Sequence, residues 1–284
     1  MGFRDILVHL DTTPRSATRL ALAADLATRH SAHLIGLSIA DIPSVDLFRG
    51  STMPLLPASP EEVVDRMRAE AAAALVPVEA MFRERLQRDG LSGEWRSTEG
   101  NRAAVLAMHC RYVDLTVVGQ PNQYEAHDSR DDAMLEAALL SSGRPILVIP
   151  FAGEFPTLGR RILVGWNASR EAARALHDAM PFLTHAEVVT VLAINPRHGI
   201  GEHGDVPAAD IATHLARHGV KAEAAHTVAK DIGEGEALLS YAADIGADLI
   251  VTGAYGHSRM REMVFGGVTR TLLAEMTAPV LMSH

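Results

Sequence analysis

A chain of 284 residues, 48% hydrophobic and 21% charged, has room for two modest domains and the composition of an ordinary globular protein. Its formal net charge of −9 argues against wrapping nucleic acid, which basic patches drive by releasing counterions from phosphate. The single cysteine, Cys110, rules out an internal disulfide, and no apolar run reaches the roughly 18–20 residues that span a bilayer. The first eight residues enter a strand-like run without a signal-peptide layout, so a cytoplasmic protein with no membrane or nucleic-acid partner is expected.

In chain order, short Val/Ile/Leu-rich strand candidates at 6–10, 33–39, 94–97, 115–118 and 146–149 alternate with helical patterns at 16–29, 61–89, 102–111 and 134–140. Residues 42–60 carry Pro43, Pro54, Pro57 and Pro60, and read as an irregular connection before a helix starting near Ser59. Residues 151–159, with Pro156, Gly153 and Gly159, read as a linker. Beyond it, strand candidates follow at 162–165, 187–193, 221–227, 249–252 and 280–282. Residues 198–207 form a shorter counterpart of the proline-rich connection.

The two halves repeat each other. The run from Arg4 to Asp11 (RDILVHLD) aligns with Arg160 to Asn167 (RRILVGWN), and Leu20 then falls opposite Leu176. Residues 114–119 (DLTVVG) align with 248–253 (DLIVTG), and 144–149 (RPILVI) with 278–283 (APVLMS). The last two pairs share one offset without a gap. Strands alternating with helices imply parallel sheets covered on both faces and joined by right-handed crossovers. The expected fold is α/β, with two tandem doubly wound sheets, at 1–150 and 160–284, joined by the linker at 151–159.

One glycine pattern carries chemistry. Gly253 and Gly256 are followed, after nine residues, by Gly266, Gly267, Val268 and Thr269, between a strand-like run and a helix-like one. Glycines permit positive φ and close backbone approach, and a helix start offers N–H groups and a favourable dipole to phosphate. The pattern resembles the nucleotide loop of the universal stress protein family, and the resemblance, to a tandem member, extends over nearly the whole chain. It implies Rossmann-like five-stranded sheets of order 3-2-1-4-5 and binding of ATP in the crevice between strands one and four. The family's motif closes with Ser or Thr after the last glycine, where this chain has Gly267. That removes a hydrogen bond worth about 1.5–3 kcal/mol to a charged acceptor.

Carried over residue by residue, the resemblance places Asn167 and the backbone at Ala193 at the adenine end of the second half. It places Gly253, Gly256, Gly266, Gly267, Val268 and Thr269 around ribose and phosphate, with His257, Ser258, Arg259, Arg261 and Glu262 in the intervening loop. Ser258 and Thr269 are the available substitutes for the missing hydroxyl. In the first half the matching positions are Asp11 and Ile39. The loop after Gly119 there has Pro121, Glu125, Asp128, Asp131 and Asp132 against Arg130, a charge balance that repels a triphosphate and marks a degenerate site. The resemblance also implies antiparallel pairing of the last strands of the two units, an intramolecular pseudo-dimer, with a homodimer of chains left open.

Plainer readings stand beside these. The glycine loop also serves as a tight strand-to-helix turn without a ligand, and Asp11, Asn167 or Ser169 as helix caps. His198, His203, His214 and His218 lack a third ligand at a recognised interval, so no metal site is expected. Cys110 reads as a buried inert thiol, Trp95 and Trp166 as packing residues, and the alanine-rich stretch at 70–80 as core patterning. No nucleophile elbow or P-loop lysine is present, so no catalytic residue is assigned, and slow hydrolysis of bound ATP, with Mg²⁺, is the most chemistry expected. The leading expectation is a stress-response sensor or regulator that binds an adenine nucleotide in its second half. The alternatives are a protein-interaction module with unidentified protein partners, or a binder of another small ligand in the same crevices.

Overall fold

The first strand, β1 (Asp5–His9), is held at its entry by a distant residue. The Asp114 carboxylate accepts the backbone N–H groups of Arg4 at 2.7 Å and of Asp5 at 3.1 Å. The arrangement recurs at β6 (Arg161–Gly165), where Asp248 accepts from Gly159, Arg160 and Arg161 at 3.1, 3.1 and 3.0 Å. Each carboxylate satisfies donors that the strand ladder leaves over, which explains why Asp114 and Asp248 occupy matching places in the two halves. The structure, a computed structural model, describes residues 2–43, 45, 59–121, 129–196, 206–256 and 267–284. Most of the connections at 42–60 and 198–207 lie outside them.

The first half runs β1, α1 (Arg15–His30), β2 (His33–Ala40), α2 (Pro60–Asp89), β3 (Gly93–Glu99), α3 (Arg102–Cys110), β4 (Leu115–Gly119), α4 (Ser129–Ser141) and β5 (Ile146–Ile149). The second runs β6, α5 (Arg170–Asp178), α6 (Met180–Leu183), β7 (Val188–Ile194), α7 (Ala209–Arg217), β8 (Ala222–Thr227), α8 (Glu234–Asp244), β9 (Leu249–Gly253), α9 (Gly267–Glu275) and β10 (Val280–Ser283). All the strands join one sheet of order β3-β2-β1-β4-β5-β10-β9-β6-β7-β8. Each half keeps the expected order 3-2-1-4-5. Pairing is parallel except at the centre, where Val280, Leu281 and Met282 oppose Val148, Leu147 and Ile146 antiparallel. The two sheets are thus one continuous sheet of ten strands.

Alternation along the strands sends side chains to two separate cores. On one face Ile6, Val8, Val164 and Val251 pack beneath α1, α2, α5, α6 and α7, with Leu26, Phe82, Leu176, Phe182 and Leu215 among the contributors. On the other, Leu7, Val118, Leu163 and Ile250 pack beneath α3, α4, α8 and α9, with Leu106, Leu139, Leu238 and Leu272. Burying a side chain of this size contributes about 1.5–3 kcal/mol. The edge strands β3 and β8 carry exposed charged or polar residues such as Glu94 and Glu223, which blunt pairing with other chains.

Local signals set the helix ends. Ser59 caps α2 in a capping box with Glu62, Pro60 opens the helix, and Gly90 closes it at φ +63°. In the alanine-rich stretch of α2, residues 72–74 face solvent while Leu75 and Val78 pack on the core with Phe82. One expectation needs correcting. α4 starts at Ser129, so Asp131 and Asp132 sit in a helical first turn rather than in a loop. There they favour the positive end of the helix dipole, and Asp131 pairs with Arg102 at 2.8 Å.

Residues 151–159 are held to the first half. Arg15 donates to Pro150 O at 2.7 Å and Gly153 O at 3.0 Å, and Arg29 donates to Leu158 O at 3.0 Å. Cys110 is fully buried, and burial pushes its thiol up to about 11. It is expected to resist a thiol reagent at neutral pH in the folded chain and to react fully in denaturant; fast labelling of folded protein would overturn this placement.

Candidate nucleotide site at the ends of β6 and β9

β6 and β9 are neighbours, with Leu163 opposite Ile250 and Val164 opposite Val251. Their connections leave in opposite directions, α5 to one face of the sheet and α9 to the other, and open a crevice at their carboxyl ends. A cavity of about 440 Å³ occupies it, within the range of small-molecule sites. Asn167 and Ser169 wall it on the α5 side, Leu192 and Ile194 on β7, and Gly235 and Leu238 on α8. Thr252 and Gly253 close the β9 end, followed by Tyr255 and Gly256, and the start of α9 supplies Gly267, Val268 and Thr269.

The structure brings Asn167, Gly253, Gly256, Gly267, Val268 and Thr269 of the expected second-half residues to this cavity. Asn167 is exposed, and its Oδ1 accepts the Ser169 N–H at 3.1 Å. Ser169, not Asn167, caps α5, accepting the Ala172 N–H at 3.1 Å. Ala193 is fully buried in the opposite core, and the adjacent Leu192 and Ile194 face the cavity. Period-two alternation makes this unavoidable, since a strand cannot send neighbouring side chains to one face. His257, Ser258, Arg259, Arg261, Glu262 and Gly266 lie outside the described residues.

The glycines are used for closeness, not for handedness. Neither Gly253 nor Gly256 has positive φ; the left-handed residue of the turn is Tyr255, at φ +61°. A Cβ on Gly253 would stand 2.6 Å from both Ala172 N and Glu171 C, so only glycine lets α5 begin against the end of β9. Thr269 is buried and its Oγ1 accepts the Tyr255 N–H at 3.4 Å, which ties the start of α9 to the turn. Sequence reasoning passed over Tyr255, since a bulky residue rarely adopts αL, and over Gly165 and Leu238, whose place depends on the packing of β6 and α8.

In the first half a side chain of α1 reaches the carboxyl ends of β1 and β4. Arg19 is 4% exposed and reaches Asp11 Oδ2 at 2.7 Å, Ser16 Oγ at 2.7 Å and His9 O at 3.0 Å. A Cβ on Gly119, the counterpart of Gly253, would meet Arg19 Nη1 at 2.6 Å. Contrary to the capping reading, Asp11 does not cap α1: its Oδ1 accepts the Thr13 N–H at 2.9 Å, and no side chain caps the helix at Pro14. Burial alone would raise its carboxyl, but Arg19, Thr13 and His9 outweigh this and hold it at about 2. His9 is held down to about 4 by burial and by the Arg19 and Arg102 charges, against the pull of Asp11. Ile39 is buried in the α3–α4 core. By the offset that pairs Leu20 with Leu176, Arg19 corresponds to Ala175, too small to reach across a crevice. Among the described residues no cluster of three metal-ligating side chains occurs, the His214 and His218 rings lie tilted at 59° with centroids 4.8 Å apart, and no helix is long and apolar enough to cross a membrane.

Residues 159–284 match the Universal stress protein family, so the second half carries a domain of that family. A curated relative, Universal stress protein Slr1230 of Synechocystis sp., is 30% identical over 154 residues, covering 52% of this chain and 50% of that protein. The match thus spans half the length of the relative. A universal stress protein from Archaeoglobus fulgidus has a solved structure that superposes with a TM-score of 0.71 at 15% identity, covering 98% of this chain and 95% of that one. A functionally unknown protein from Pseudomonas aeruginosa PAO1 superposes with a TM-score of 0.61 at 14% identity, covering 99% and 92%. At these identities the likeness is one of fold.

Proposed function

We propose that residues 160–284 bind an adenine nucleotide, ATP by preference of the loop pattern, and that the chain is a stress-response sensor or regulator rather than an enzyme. The observation that carries this is the cavity at the switch point of β6 and β9, bounded by the glycine turn and the start of a helix. Its apolar walls, Leu192, Ile194 and Leu238, suit a planar base, and Asn167 offers an amide edge with donor and acceptor. Residues 1–150 form, in this reading, a related unit with the Arg19–Asp11 pair at the ends of its β1 and β4, joined to the second through 151–159.

Calorimetric titration of ATP with Mg²⁺ into nucleotide-stripped protein tests the reading. Saturable binding in the micromolar range is expected, weakened about tenfold or more by Gly165→Val. A Cβ at Gly165 sits 3.4 Å from Leu238, an ordinary contact, so the added methyl groups fill cavity space without disturbing the strand. No heat up to millimolar ATP, with the fold intact, would favour a protein-interaction module instead.

A further inference from the structure

The turn from β6 into α5 carries a carboxylate that the reading above does not use. Glu171 lies in the first turn of α5, its side chain 7% exposed, and packs on Gly253, where a Cβ would meet Glu171 Cβ at 2.8 Å. Its Oε2 is 3.6 Å from the position of a Cβ on Gly256, a point that Ser169 Oγ and Asn167 Nδ2 also approach, at 3.6 and 3.7 Å. The carboxylate therefore lies against the glycine turn, beside Ser169 and Asn167 of the cavity wall. Burial would raise its pKa, but the Arg170 guanidinium, its own N–H and the Ser169 hydroxyl outweigh that and hold it below the ordinary range, so it is ionised at neutral pH. Its partner Arg170 is 79% exposed, so water and salt screen the cation far more than the buried anion. A second carboxylate, Glu136 of α4, acts on the Tyr255 hydroxyl from the first half.

Phosphate drawn to the glycine turn thus meets a fixed negative charge packed against that turn. We propose that Glu171 determines which charge state of ligand the cavity takes: it admits adenine ligands of low charge, or triphosphates neutralised by a divalent cation, and turns away free polyphosphate. The inference rests on the nucleotide reading of the same cavity. It assigns Glu171 as a specificity residue that acts through its field, without touching the ligand.

The test is titration of adenosine, AMP, ADP and ATP into the nucleotide-stripped full chain, first in EDTA and then in Mg²⁺, repeated with Glu171→Gln. In EDTA, affinity is expected to fall about tenfold or more from adenosine to ATP, and Mg²⁺ to restore ATP binding by a similar factor. In Glu171→Gln both differences are expected to shrink below about threefold, a change that isolates this carboxylate from the arginines of the loop. Free ATP that binds the native chain as tightly as adenosine overturns the inference, as does an unchanged Mg²⁺ dependence in a folded Gln variant. Should Glu171→Gln not fold, the native series in EDTA still overturns the inference if free ATP matches adenosine. Silence of every adenine ligand in both proteins is a different result: it overturns the nucleotide reading itself, and this inference with it.

Discussion

Gly253→Ala is expected to destabilise the chain by about 3 kcal/mol, while Gly256→Ala leaves it within about 0.5 kcal/mol. The two glycines belong to one motif and lie in one turn, yet only the first is in contact with backbone. At Gly253 the added carbon would stand 2.6 Å from Ala172 N and Glu171 C. Relief requires α5 to move away from β9, and with it the Ala175 and Leu176 packing that α5 supplies to the core. At Gly256 the nearest atoms among the described residues are side-chain oxygens at 3.6 Å, ordinary contacts. Chemical denaturation of both variants would check this; equal midpoints would show that α5 does not rest on β9 as described.

Acid is expected to weaken the fold well before its carboxylates titrate. His9 has an ordinary pKa of 6.5 when unfolded and about 4 in the folded chain, because burial and the Arg19 and Arg102 charges disfavour the imidazolium. Between those values the unfolded state holds a proton that the folded state refuses, so stability falls as pH falls, by up to about 3 kcal/mol from this group. The loss is complete near pH 4. Below that a second loss begins: the Asp11 carboxyl, held at about 2, gains its proton in the unfolded chain first, and the contribution of the Arg19 pair disappears as pH drops toward 2. His30 and His109 are also lowered by burial and add to the first slope in the same direction. Urea unfolding at pH 7, 5.5 and 4.5 would measure the slope, and His9→Leu should remove most of it. A variant with the parent's pH dependence would place the effect elsewhere.

What could be read from the sequence was whatever repeats or alternates. The β1, β4 and β9 runs are apolar because they are buried on both faces, and the shared offset of DLTVVG and DLIVTG fixed the matching places of Asp114 and Asp248 before their hydrogen bonds were visible. The glycine turn was legible as a place for closeness. That the left-handed residue there is Tyr255, and that Leu192 and Ile194 face the cavity while Ala193 faces away, depends on strand orientation, which the alignment of a backbone position does not carry. Arg19 was hidden for another reason. An arginine on an otherwise apolar helix face reads as a solvated charge, and only the fold brings Asp11, Ser16 and the His9 carbonyl to one point around it.

The antiparallel seam between β5 and β10 has a consequence for how such a chain can change over time. Each of these strands is four residues long and entirely buried. Where identical subunits meet through such strands, any alteration to one crevice is imposed on both. Within a single polypeptide the partner at the seam is always the other half, and Ile146–Ile149 need only suit Val280–Ser283. One half is then free to set an arginine at its strand ends while the other keeps an open cavity there, and both still complete the sheet. A chain that carries its own partner has this asymmetry built into one polypeptide.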